Sequence, residues 1–152
     1  MASISVIGAV IERYETFTIN STAKIYFDEA PTRDGSGVAI VPPYVVLRDG
    51  GTNPDYAFER SCVIENTTLT FEIYATGLAS ADAIASAIRY NGGAIDAGSG
   101  MDFATTLPLT GQTLLQMVRT SEHRNVEGGR GVDATDVYKV TMTYVVQTQR
   151  TA

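Results

Sequence analysis

Tryptophan is absent from this chain, and cysteine and histidine occur once each, as Cys62 and His123. A single cysteine excludes an intrachain disulfide. One thiol and one imidazole far apart in sequence do not make a zinc site, which needs a set of such ligands in close pairs. The carboxylates do not fill the gap, because Asp28, Glu29, Asp34 and Asp49 lack the spacing of a calcium loop. No metal or cofactor is expected. No apolar run is long enough to cross a membrane, and residues 1–7 lack the basic segment of a secretory signal. The reading is therefore a protein kept in the cytoplasm of the cell that makes it, with no membrane partner. Asn20-Ser21-Thr22 and Asn66-Thr67-Thr68 match the glycosylation acceptor pattern, but without a secretion signal they are coincidences.

Charge is also scarce. Charged residues make up 18% of the 152, so the surface must lean on Thr, Ser, Asn, Gln and Gly. The net charge of −6 argues against wrapping nucleic acid, which takes a basic stripe that displaces counterions. It leaves open a negatively lined channel through which DNA passes without sticking. Apolar residues make up 44%, enough for one sizeable core, and the length suits one domain spanning 1–152.

Periodicity gives the elements. Ile7, Val10, Ile11 and Tyr14 recur on one helical face, with Ser3 or Ser5 as cap. Residues 22–27 alternate as a strand, Ala23, Ile25 and Phe27 against Thr22, Lys24 and Tyr26. A dense turn cluster follows at 31–37. Pro42-Pro43 bars a central strand. Residues 44–48 read as a strand stopping at Asp49-Gly50-Gly51, with a loop through Asp55. Runs at 59–65 and 67–75 read as two strands, with Asn66-Thr67 as a hairpin turn. In the second, Leu69, Phe71 and Ile73 share a face.

The clearest helix has Ser80 as N-cap, Asp82 in its first turn and a stripe of Ala81, Ile84, Ala85 and Ile88. Asn91-Gly92-Gly93 ends it, with glycine available for the left-handed position. Residues 92–111 read as irregular. Residues 113–124 read as a strand with apolar groups on both faces. Residues 137–148 give the strongest alternation, Val140, Met142, Tyr144 and Val146 on one face. The sum is an α+β domain: a mainly antiparallel sheet with two helices on one face and long loops.

Chemistry is sparse. A Ser/His/Asp triad would have to use His123, and no nucleophile elbow is present. Gly128-Gly129-Arg130-Gly131 lacks the Lys-Ser/Thr of a phosphate loop, and Gly98-Ser99-Gly100 fails likewise. Both read as plain flexible loops. Cys62, in the apolar stretch Ser61-Cys62-Val63-Ile64, reads as a buried thiol. The polar loops at about 28–37, 48–57, 92–111 and 121–136 are long for a compact domain, which points to function or to ordering against a neighbour. Their side chains Arg33, Asp34, Asn125, Glu127, Arg130 and Asp133 are the candidates for subunit or partner contacts.

One family shares this layout. An N-terminal helix leads to Pro42-Pro43-Tyr44-Val45-Val46-Leu47. A central strand follows at Thr67-Thr68-Leu69-Thr70-Phe71-Glu72-Ile73-Tyr74-Ala75. Then come the Ala-rich helix from Ser80 to Ile88 and a long last strand, Tyr138-Lys139-Val140-Thr141-Met142-Thr143-Tyr144-Val145-Val146. The arrangement resembles the tail-terminator, or tail-completion, proteins of long-tailed bacteriophages. The resemblance spans most of the chain and rests on strand and helix patterns. The Gly-rich stretch 92–101 has no counterpart in it. It implies a ring, usually of six subunits, that caps the tail tube and meets the head connector, with DNA crossing the lumen. Its location would be the tail or neck of a virion assembled in the host cytoplasm. It implies no catalytic residues. A further head-tail neck or connector protein is the close alternative. From another class, a small-ligand-binding domain or an enzyme using Cys62 and His123 stands as runner-up, and it requires an exposed, acidic thiol.

Overall fold

The computed structural model describes residues 2–56, 63–92, 99–127 and 137–150. Helix α1 (Ala2–Glu15) leads into strand β1 (Lys24–Phe27). Then come β2 (Tyr44–Tyr56), β3 (Val63–Ala75), helix α2 (Leu78–Tyr90), β4 (Gln112–Glu127) and β5 (Val137–Arg150). The five strands form one sheet in the order β1-β2-β3-β5-β4. Among the described residues β1 and β2 pair in parallel, and the other pairs are antiparallel. The α+β class and the single domain read from the sequence match this arrangement.

Alternation decides which face is covered. Leu69, Phe71 and Ile73 of β3 lie beside Tyr144, Met142 and Val140 of β5, and all are fully buried. Val6, Val10 and Tyr14 of α1, and Ala81, Ile84, Ala85 and Ile88 of α2, bury against that same face in one core cluster. The buried alanines let α2 approach the sheet closely. Tyr14 also donates its hydroxyl to the Ala23 carbonyl, tying α1 to the lead into β1. Among the described residues no helix lies over the other face of the sheet.

Several expected boundaries move. α1 begins at Ala2, so Ser3 and Ser5 lie within it and neither is its cap. Thr22 closes a 3₁₀ turn, and β1 starts at Lys24. The cap of α2 is Gly77, in extended conformation, which places Ser80 inside the helix. Asp82 lies past the first turn and pairs with Arg124 at 2.7 Å. At the other end Asn91, not a glycine, takes the left-handed cap position, with Gly92 also at positive φ.

β2 does not stop at Asp49-Gly50-Gly51. The pair with β3 slips there by a bulge and resumes from Thr52 to Tyr56. Gly51 takes a φ of 104°, and a Cβ on Gly50 would crowd the Thr68 backbone at 3.1 Å. The glycines thus serve a bulge rather than a turn. Pro54 is tolerated because β1 covers β2 only as far as Leu47, and beyond that β2 is an edge. Asn66-Thr67 is no hairpin turn either. Asn66 sits between Asn53 and Gln147, and Thr67 between Thr52 and Val146, so ladder pairing on both sides overrides turn propensity. Residues 59–62 of the expected first run lie outside the described residues.

β4 carries two bulges, at Leu114/Gln116 and Arg119/Ser121. Each shifts the side-chain phase by one. Leu114 and Met117 therefore share the core face while Leu115 and Val118 are exposed, which explains why apolar residues fall on both faces in the simple alternation.

Candidate interaction surfaces

The connection between the parallel strands β1 and β2 has to travel back along the sheet, which explains the length of residues 28–43. No helix makes this return. The chain instead folds into an arm closed by its own hydrogen bonds. Asp34 Oδ1 accepts from the Ser36 and Val38 amides at 2.8 and 2.9 Å. The Asp34 amide donates to the Val38 carbonyl and the Ile40 amide to the Thr32 carbonyl, at 2.8 and 2.9 Å. Arg33 Nη1 donates to the Gly37 carbonyl at 2.9 Å. The arm stands off its own domain: a cleft of about 260 Å3 separates Asp34 and Ile40 from Tyr26 and Tyr44. Val38 and Val41 are left exposed.

At the opposite edge of the sheet, β4 and β5 extend side by side. A pocket of about 230 Å3 opens where their ends meet the start of α2, lined by Leu78, Arg124, Asn125, Val126, Tyr138, Lys139 and Val140. Leu78 and Val126 are exposed there.

The helix-free face carries a polar cluster. Glu72 accepts from Arg48 Nε, from the Tyr74 hydroxyl at 2.6 Å and from Lys139, whose Nζ lies 3.3 Å away. Tyr74 stacks obliquely on Tyr44 at 5.1 Å, and Tyr44 meets the edge of Tyr26 at 6.3 Å. Burial by itself would raise the Glu72 carboxyl, but Tyr74, Arg48 and Lys139 together hold it below the usual carboxylate range. Burial and the Glu72 carboxylate push the Tyr74 hydroxyl up.

On the helix side, ion pairs stitch α2 and the 3₁₀ turn Met101–Phe103 to β4. Arg89 meets Glu122, Arg124 meets Asp82, and Arg119 meets Asp102 at 3.0 Å. Tyr144 donates to Asp102, and burial drives its hydroxyl far above the ordinary tyrosine value. Arg119, Arg124 and Tyr144 are thus partnered within the fold, whereas Arg89 keeps its buried Nε without a hydrogen-bond partner.

The sequence-predicted interface residues divide between the two edges. Arg33 and Asp34 lie on the arm next to edge strand β1. Asn125, exposed, and Glu127 lie at the far end of edge strand β4. Arg130 and Asp133 lie outside the described residues, as does Cys62. His123 is exposed on β4 opposite Thr141. Among the described residues no group of three or more His, Cys, Asp or Glu side chains is placed to hold a metal. No described helix is long and apolar enough to cross a membrane.

No protein-family model matches the chain, and no curated protein matches it in sequence. Its fold does match a solved structure. A chain in the virion of a native gene transfer agent particle superposes with a TM-score of 0.63, at 17% identity over 97% of each chain. The match is one of fold, and it spans the helices, the sheet and both edges just described. Of the features sequence reasoning missed, the Glu72 cluster had the fainter signal: a carboxylate on the outward phase of a strand whose inward phase is Leu69, Phe71 and Ile73. The pocket had none, since it depends on which strands end together.

Proposed function

We propose that this chain is a structural protein of a phage-like particle, a ring-forming subunit of tail-terminator type that closes a tail tube and faces the head connector. The observation that carries the reading is the fold shared, nearly end to end, with a chain of a gene transfer agent virion. The tail-terminator resemblance of the sequence points the same way. So does the disposition of contact-ready groups at two opposite sheet edges, because surfaces that differ on the two sides of a subunit build rings when the rotation closes. The reading assigns no catalysis. DNA would pass through the ring without specific binding, and the partners would be further copies of the chain, the tube protein and the connector protein.

The test is native mass spectrometry over a concentration series, together with electron microscopy of the protein mixed with tail tubes. A closed oligomer near six times the 16.3 kDa subunit, or a density capping one end of the tubes, is the expected result. A strict monomer that leaves tube ends bare and tube growth unchecked would overturn it.

A further inference from the structure

Of the exposed large aliphatic side chains among the described residues, Leu115 and Val118 lie earlier on β4, and the other four fall into two groups. Val38 and Val41 sit on the arm beside β1. Val126 and Leu78 rim the pocket at the end of β4. The strand order puts these two groups at opposite edges of the sheet, so one copy cannot bring its own arm to its own pocket. We infer that the arm of one copy seats Val38 and Val41 in the Leu78–Val126–Tyr138 pocket of the next, a head-to-tail contact between copies of this chain.

Four observations support that occupant. The arm is preorganised by its own hydrogen bonds, so docking it costs little chain entropy. Val41 is 67% exposed and Val126 57%, which leaves apolar surface on both sides to be covered. The pocket offers no free charge to an incoming apolar group: Arg124 is held by Asp82 and Glu122, and Lys139 by Glu72, so seating two valines there strands no unpaired ion. Finally, the two bulges in β4 interrupt its free edge, which disfavours simple strand addition and leaves side-chain docking as the way to use that edge. The inference rests on the ring reading and names the surfaces that would form it.

The experiment uses the full chain with Cys62→Ser, so that introduced thiols are the only ones. Val41→Cys and Val126→Cys are made separately and together, and oxidised or treated with a short bis-maleimide. Both positions are exposed, so neither change threatens the core. A head-to-tail contact predicts a dimer band when the two single variants are mixed and none from either alone. It predicts a ladder from the double variant, ending at the ring's subunit number. Like-with-like cross-linking, or no cross-linking in the mixture while native mass shows a closed oligomer, would overturn the contact and leave the ring reading standing. Cross-linking absent at every concentration from a protein that stays monomeric and leaves tubes uncapped would remove both.

Discussion

At the residue scale the most informative group is Glu72. Its carboxylate is nearly buried on an otherwise open sheet face and is held ionised by Tyr74, Arg48 and Lys139. Its folded pKa is depressed, so the stability it contributes is present above the unfolded carboxylate value and is lost as pH falls through the lower folded one. Glu72→Gln keeps the shape and removes the charge. We expect it to cost on the order of 1–2 kcal/mol at neutral pH, the scale of a charge-assisted hydrogen bond, and to flatten the acid limb of the stability curve. Urea denaturation from pH 7 down to pH 3 reads both, and an acid limb as steep as that of the wild type would discount the cluster. Gly100 gives a second residue-scale prediction. A Cβ there would overlap the Arg89 carbonyl, while Arg13 Nη2 holds the Ser99 and Gly100 carbonyls at 2.8 and 3.1 Å from the other side. With neither neighbour free to give way, Gly100→Ala should destabilise by roughly 2 kcal/mol or more, visible as a drop in Tm. An unchanged Tm would show that this junction has room to give way.

At the element scale the β4–β5 hairpin lends itself to surgery. Glu127 and Val137 are direct partners in the ladder. Residues 128–136 can therefore be replaced by Asn-Gly, which favours the two-residue turn that joins paired antiparallel strands. We expect the shortened protein to keep its circular dichroism spectrum and a Tm within a few degrees of the wild type, and to lose assembly if residues 128–136 carry a contact. A cut beginning at residue 125 would be less informative, because Asn125 and Val126 are paired with Lys139 and Tyr138. The elements also show what the sequence reveals. α2 and β5 could be read directly because each keeps one period throughout. β2 and β4 could not, since bulges change the phase in mid-strand and pairing on both sides turns Asn66-Thr67 from a plausible turn into ladder. The interface candidates were legible as exposed polar positions at Arg33, Asp34 and Asn125. Their separation onto two edges was not, because it follows from a strand order that puts β5 between β3 and β4.

At the scale of the whole molecule the question is whether DNA would be gripped or merely passed. The 17 acidic side chains outnumber the 11 basic ones, and the cations are mostly occupied within the fold. Arg48, Arg89, Arg119, Arg124 and Arg150 each pair with a carboxylate. Arg13 and Arg33 hold backbone carbonyls instead. Counterion release needs cations free to replace those on the phosphates, and a ring repeating this subunit multiplies its negative charge. Duplex DNA should therefore show no retardation in a gel at about 50 mM salt, the low end of the range in which phosphate contacts are strongest, whether the protein is monomeric or assembled. A retarded band that weakens steeply as salt rises would mean that assembly lines up basic groups the single chain keeps apart, and the conduit reading would give way to one in which the ring holds the DNA it surrounds.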